Sequence, residues 1–290
     1  MAASETVRAL VHRVATAEEL DRRVGKPVAT AVGKAVSDGR VKSLLSGTWL
    51  GHPLHPMLTD LPIGSWTSAF VLDLVGGKRA QPAADKLIGV GVVCALPTAA
   101  AGLSDWSDTI GEERRIGTVH ALANVVAVWL YSWSWLARRA GRRKAGVTLG
   151  LLGATAATAG GYLGAHLVYR KGVGADRNAW KHGGDWVDVA DEDALRPGEP
   201  LVVEADDDDV LLVRQGQDVV AISNVCGHAG GPLNEGQFDA EGCVTCPWHA
   251  SRFRLADGHV VQGPATGHQP RYEVRSEAGR LLVRLARTTA

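Results

Sequence analysis

The sequence predicts a multi-domain chain in which an all-α four-helix transmembrane bundle precedes an all-β domain. Three observations predict it. Residues 57–169 hold four long apolar stretches separated by short polar connections. From residue 185 onward the apolar residues alternate, or gather in short runs between turn residues, as strands do. Among those strands lie two short loops, each carrying one cysteine and one histidine.

The chain has 290 residues, room for two domains, and a formal net charge of zero. A net charge of zero gives no reason to expect a polyanionic partner such as nucleic acid. Its four cysteines, Cys94, Cys226, Cys243 and Cys246, are too few and too unevenly placed for a disulfide scaffold. No charged, apolar and cleavable leader opens it. The expected organisation is an amphipathic helical or flexible arm at 1–50, the membrane domain at 51–171, a glycine-bearing linker at 172–184 and the β domain at 185–290.

The β domain carries the chemistry. Cys226-Gly227-His228 is followed, after seventeen residues, by Cys246-Pro247-Trp248-His249. Two thiolates can take one iron and two imidazoles another, the ligation of a 2Fe-2S centre in which two histidines replace two cysteines. The rival is a structural zinc site, but zinc fingers order their ligands Cys, Cys, His, His. Strands are expected at Trp186-Val-Asp-Val, Pro200-Leu-Val-Val-Glu, Val210-Leu-Leu-Val-Arg, Val219-Val-Ala-Ile, Tyr272-Glu-Val-Arg and Leu281-Leu-Val-Arg, with a hairpin turn at Ala256-Asp-Gly-His259. Cys243 reads as a buried strand residue, and His12, His182, His259 and His268 as exposed histidines.

The runs Cys226-Gly-His-Ala-Gly-Gly-Pro-Leu and Cys246-Pro-Trp-His-Ala-Ser-Arg-Phe closely resemble the two cluster loops of Rieske ferredoxins. Gly263-Pro264-Ala265 falls where that family has a third, proline-bearing loop, and the resemblance covers about residues 185–287. It implies a 2Fe-2S cluster with Cys226 and Cys246 on the inner iron and His228 and His249 on the outer one. Rieske subunits of cytochrome bc complexes carry a cysteine pair bridging the two loops. Here Gly230 or Gly231 and Trp248 stand at those positions, so no disulfide is expected. Ser251 falls where those subunits have a serine donor to a cluster sulfur, and Phe253 where they have a tyrosine donor. With one donor kept and one lost, the expected potential is intermediate. Titration of the histidine ligands implies a potential that falls with rising pH. Ring-hydroxylating oxygenases follow their Rieske domain with a large catalytic domain. This chain ends at Ala290, so the expectation is a carrier and not an oxygenase.

The apolar stretches run over 57–75, 84–103, 116–136 and 146–169, each near the ~20 residues that cross a bilayer. Gly150, Gly153, Gly160, Gly161 and Gly164 would let the last one pack closely, and Trp129, Trp133 and Trp135 suit an interfacial anchor. An antiparallel path gathers His52, His55, Asp60, Asp105, His120 and His166 at one end. Ionisable groups in spans are functional candidates: axial ligands of a b-type haem or other metal, or a quinone and proton site. The competing reading is that they only satisfy one another. His120 and His166 are the favoured pair, because prolines flank His52 and His55 at the boundary. Gly51-His-Pro-Leu-His-Pro-Met-Leu-Thr-Asp-Leu-Pro-Ile-Gly, Thr118-Val-His-Ala-Leu-Ala-Asn and Gly160-Gly-Tyr-Leu-Gly-Ala-His-Leu-Val-Tyr-Arg resemble a bacterial four-helix membrane-domain family of unknown function, over roughly residues 46–176.

Lys78, Arg79, Lys86, Arg138, Arg139, Arg142, Arg143 and Lys144 follow the first and third spans, which by the positive-inside rule favours export of the β domain. The missing export signal and the cytosolic assembly of clusters favour a cytoplasmic β domain instead. The expected function is single-electron transfer by a multi-pass protein of the bacterial cell membrane, an oxidoreductase component and not a stand-alone catalyst. Its expected partners are membrane lipid and a reductase or an oxidase or oxygenase. The alternatives are a redox enzyme subunit linking the cluster to a membrane haem or quinone, and a redox sensor.

Overall fold

The structure, a computed structural model, describes residues 2–37 and 39–286. It forms two compact units, Met1–Ser37 with Leu54–Val173, and Asp38–Pro53 with Gly174–Ala290. A helical region followed by a β-rich domain is thus observed as the sequence predicts.

In the first unit α1 (Ala2–Ala15) is followed by α2 (Glu18–Leu20), which continues through a π-helical turn (Asp21–Gly25) into α3 (Lys26–Ala35). Four long helices come later in the chain: α5 (Leu54–Val75), α6 (Gly77–Ser107), α7 (Gly111–Arg139) and α8 (Arg143–Lys171); α4 (Gly39–Ser46) belongs to the second unit. Asp21, carried by the π turn, makes a two-pronged ion pair with Arg114 at 2.7 Å and so ties the N-terminal helices to α7.

The long helices pack through aromatic rings lodged against small residues. Trp66 and Tyr131 stack at 4.0 Å between centroids. A Cβ at Gly153 would come within 3.1 Å of the Tyr131 ring, so only glycine lets α8 approach α7 there. Pro62 has no N–H to give the Leu58 carbonyl, and the Thr98 hydroxyl of α6 lies 3.1 Å from that carbonyl, sharing its proton with the Cys94 carbonyl at 2.8 Å. Each helix also contributes one charge to a network near the bundle's other end. Arg138 of α7 binds Asp73 of α5 and Asp85 of α6, and Arg143 of α8 binds the same two carboxylates. The Arg138 side chain is only 1% exposed.

Outward-facing residues of these helices are apolar: Ile63, Leu74, Val93, Leu96, Val125 and Trp129 are all exposed. Among the described residues α6 and α7 are long and apolar enough to cross a membrane. α5 carries Asp60 and Asp73 within its length, and α8 is built largely of Gly, Ala and Thr.

The second unit holds two antiparallel sheets. The first has the order β1 (Val187–Asp191), β10 (Arg280–Leu285), β9 (Arg271–Glu277), β4 (Asp218–Ser223), β3 (Asp208–Gln215), β2 (Leu201–Ala205). The second runs β5 (Gln237–Phe238), β6 (Cys243–Thr245), β7 (Arg252–Arg254), β8 (Val260–Gln262). The acidic run Asp206–Asp209 resolves into a tight turn, with Asp206 and Asp207 both at positive φ between β2 and β3. Leu211, Ile222, Leu233, Val244 and Phe253 form a core that includes Cys226 and Cys246.

Replacing Arg138 with Met leaves Asp73 and Asp85 sharing Arg143 alone. Breaking a buried pair in this way should cost about 3–5 kcal/mol. Thermal unfolding in detergent should show it, while Lys144→Met, exposed and outside the network, should change stability by less than about 0.5 kcal/mol.

Candidate metal centre

Two loops with one hydrogen-bond plan carry the cysteines. In the first, the Cys226 N–H donates to the Gly231 carbonyl at 2.9 Å and the Gly230 N–H donates to the Cys226 carbonyl at 2.8 Å. In the second, Cys246 N–H donates to the Ser251 carbonyl at 2.8 Å and Ala250 N–H to the Cys246 carbonyl at 3.1 Å. Gly230 and Ala250 occupy the same place in the two turns, and both are left-handed, at φ 89° and 59°. Each turn aims N–H groups at its own sulfur: His228 and Ala229 at Cys226, Trp248 and His249 at Cys246.

The four side chains stand as two pairs. The cysteines are buried and in contact. The Cys226 thiol donates to Cys246, which with the Trp248 and His249 N–H groups holds the Cys246 thiol below the ordinary range. The same bond, together with burial, pushes Cys226 up. Cys246 is therefore the sulfur favoured as thiolate, and Cys226 holds the proton that the pair shares. His228 and His249 are half-buried with ring centroids 5.1 Å apart and planes at 86°. Two imidazoles on one tetrahedral ion place their centroids roughly 5 Å apart. Among the described residues no three His, Cys, Asp or Glu side chains converge on a single ion. A thiol pair beside an imidazole pair suits two irons, one for each pair, better than one tetrahedral zinc.

Three supports surround these loops, and of their residues Asn178, Gln269, Ser43 and Thr48 carry no local sequence signal. Behind the first loop, buried Asn178 donates to the Val225 carbonyl at 2.9 Å, and Gln269 accepts the Gly227 N–H at 2.9 Å. Asn178 comes from the stretch read as a plain linker. Over the second loop, the buried Ser251 hydroxyl accepts the Ala265 N–H at 2.9 Å, which leaves its own proton to donate. The third loop, with Pro264 after a cis Gly263–Pro264 bond, is gripped by residues 43–48. The Gly263 N–H donates to the Ser43 hydroxyl at 2.9 Å and the Thr48 hydroxyl to the Ala265 carbonyl at 2.9 Å. Trp248 is exposed beside His249.

Cys243 is buried at the start of β6, away from the loops' hydrogen-bond plan. His259 and His268 are exposed but coupled, with centroids 4.5 Å apart, and His268 Nδ1 accepts the Val260 N–H at 3.1 Å. Of the helical-domain candidates, His55 and His120 are brought together, their centroids 6.4 Å apart. Asp60 is exposed on α5, while Asp105 on α6 and His166 on α8 are half-buried. His52 is exposed and belongs to the second unit.

Residues 185–273 match the Rieske [2Fe-2S] domain. Over 98 residues the chain is 31% identical to the ferredoxin subunit of 3-phenylpropionate/cinnamic acid dioxygenase from Escherichia coli K12, covering 34% of this chain and 86% of that protein. The chain belongs to the Rieske [2Fe-2S] family. A 2Fe-2S cluster is the cofactor that this domain implies. Residues 51–177 match a second family, described as a predicted membrane protein, DUF2231. The cytochrome b6-f complex iron-sulfur subunit of Chlorobaculum tepidum is 28% identical over 89 residues, 31% of this chain and 48% of that one. Among solved structures, the ferredoxin of carbazole 1,9a-dioxygenase from Nocardioides aromaticivorans IC177 is 38% identical, with 34% of this chain and 97% of that chain covered and a TM-score of 0.33. The chain spans only 15–20% of the length of the larger relatives it matches.

The matched turns predict opposite effects at equivalent positions. Gly230→Ala should cost about 1–2 kcal/mol, and Ala250→Gly should gain up to about 1 kcal/mol, because an L side chain is strained at positive φ. Unfolding of the purified protein in urea checks this, and shifts of the same sign would contradict it. A second prediction concerns pH. Partial burial and the neighbouring His259 hold His268 below the ordinary imidazole value of 6.5. The unfolded chain therefore takes up this proton first. The contribution to stability is full above that ordinary value and is lost as pH falls through the depressed one. His268→Asn should flatten the corresponding part of a Tm-against-pH curve.

Proposed function

We propose that this chain is a membrane-anchored carrier of single electrons. Cys226 and Cys246 hold one iron of its 2Fe-2S cluster, and His228 and His249 hold the other. The observation that carries this reading is the pairing of like side chains on two matched turns. When bound, the cluster supplies a one-electron redox couple.

The protein's part is to hold and tune that couple. Cys226 and Cys246 keep their sulfurs inside the β core, where backbone N–H groups stabilise thiolate charge. The Ser251 hydroxyl, already held by the Ala265 N–H, is the further donor on the cysteine side. Phe253 fills the core without adding a second hydroxyl. Half-buried His228 and His249 form the edge through which the electron leaves, with exposed Trp248 beside it as a contact for the partner. By analogy with the dioxygenase ferredoxin subunit, that partner is a reductase on one side and an oxygenase or oxidase on the other.

Lipid suits the helical domain: the outward faces of its long helices are largely apolar, as a bilayer favours, with Asp60 on α5 an exposed exception. The reading is a multi-pass domain made of α5–α8. Arg138 and Arg143 belong to the network with Asp73 and Asp85, so two of the eight basic residues counted after the first and third spans are neutralised. The positive-inside rule counts Lys and Arg and gives Asp and Glu little weight, so this pairing leaves the bias in place; a cytoplasmic Rieske domain is proposed because clusters are assembled in the cytosol. A second redox centre in the helical domain is the alternative, favoured by the facing rings of His55 and His120.

Anaerobic potentiometric titration of the full-length protein tests the proposal. One electron should be taken up by a cluster that Cys226→Ser abolishes. Ser251→Ala should keep the cluster but lower its potential on the order of 50 mV, the equivalent of one hydrogen bond of about 1 kcal/mol. A protein purified with zinc and inert to reduction would overturn it.

A further inference from the structure

The first turn of α5 and the N-terminal half of α7 bring two histidines edge to face inside the helical domain. His55 and His120 have ring centroids 6.4 Å apart and perpendicular planes. Each ring is oriented by the helix next to its own. His55 Nδ1 lies 2.9 Å from the Thr98 carbonyl of α6, and His120 Nδ1 lies 2.8 Å from the Gly160 carbonyl of α8. A carbonyl only accepts, so each Nδ1 carries the proton, and each neutral ring keeps its lone pair on Nε2. A backbone carbonyl on the far nitrogen is the support that metal-binding histidines use to fix tautomer and direction.

The surrounding sequence serves this arrangement. Pro62 leaves the Leu58 carbonyl without a helical donor, and Thr98 answers it with its hydroxyl. The same residue thereby presents its own carbonyl to His55. Gly102 and Gly164 make room for the rings: a Cβ would come within 2.6 Å of His55 Cε1 at the first and 3.0 Å of His120 Cε1 at the second. The Asn124 amide, which donates to the His120 carbonyl at 2.9 Å, lies 3.3 Å from His120 Nε2 and 3.4 Å from Nδ1, so it packs against the ring and is not committed to either nitrogen.

A bare zinc or copper ion in such a place would want three or four protein ligands. Among the described residues no group of three or more His, Cys, Asp or Glu offers them. A haem iron takes its remaining four bonds from the porphyrin and needs only two protein ligands, on opposite sides. Two imidazoles trans on one ion place their centroids roughly 6 Å apart, which the His55–His120 pair meets, whereas the His228–His249 pair, at 5.1 Å, suits a tetrahedral ion. The sequence lacks the Cys-x-x-Cys-His of covalent attachment, so the haem would be b-type. We propose that His55 and His120 are the two axial ligands of a b-type haem in the helical domain. His166 is not one of them. The inference does not depend on the cluster assignment, because the two centres are read by different signals.

The test uses the full-length protein from haem-replete cells, in detergent. A pyridine haemochrome assay should give one haem per chain, with a low-spin reduced-minus-oxidised spectrum. His55→Ala and His120→Ala should each lower haem content at least tenfold, while His52→Ala and His166→Ala keep it. The cluster's electron paramagnetic resonance signal should survive in all four, showing that the variants fold. His120→Gly should regain haem when free imidazole is added. No haem in the wild-type protein, copper in its place, loss on His166→Ala, or retention in both His55→Ala and His120→Ala would each overturn the proposal.

Discussion

The Rieske domain depends on one constraint: two thiols must be buried together in an apolar core without leaving the backbone around them unsatisfied. The matched turns at Cys226 and Cys246 meet it. Each cysteine spends its own N–H and carbonyl inside a six-residue loop, and two further N–H groups of each loop converge on sulfur. This closes each loop so tightly that position i+4 is left-handed in both, by glycine in one and under strain in the other. The histidines two and three residues on are then carried out of the core to its edge. Burial of cysteine and half-exposure of histidine are one consequence of one turn, used twice.

In the helical domain the same accounting works through side chains. Proline removes a donor in α5 and threonine in α6 restores one. Four charges from four helices cancel one another. Two imidazoles settle on carbonyls of adjacent helices. Around an apolar core, further apolar side chains of the long helices face outward.

Much of this was legible in the sequence, and the failures have physical causes. The strands of the larger sheet are five or more residues long and announce themselves by alternation or by apolar runs. β5 to β8, which present the second and third loops, are two or three residues long and have no periodicity to read. The cysteine and histidine spacing survives in the sequence because the loops are local. The grip of Ser43 and Thr48 on the proline loop spans more than 200 residues and leaves no trace, and the same holds for Asn178 and Gln269. His120 was expected to face His166, yet the ring facing it is that of His55. Counting along antiparallel helices gives depth but not rotation, and each residue turns the helix by about 100°, so which histidines meet is settled by packing.

The measurement that bears most directly on the account is pulsed electron paramagnetic resonance on the reduced full-length protein, with metal content determined on the same sample. Two irons per chain and two strongly coupled histidine nitrogens, lost together with the cluster on His228→Ala or His249→Ala, are the predicted result. Iron without nitrogen coupling, or zinc without a paramagnetic signal, would contradict it.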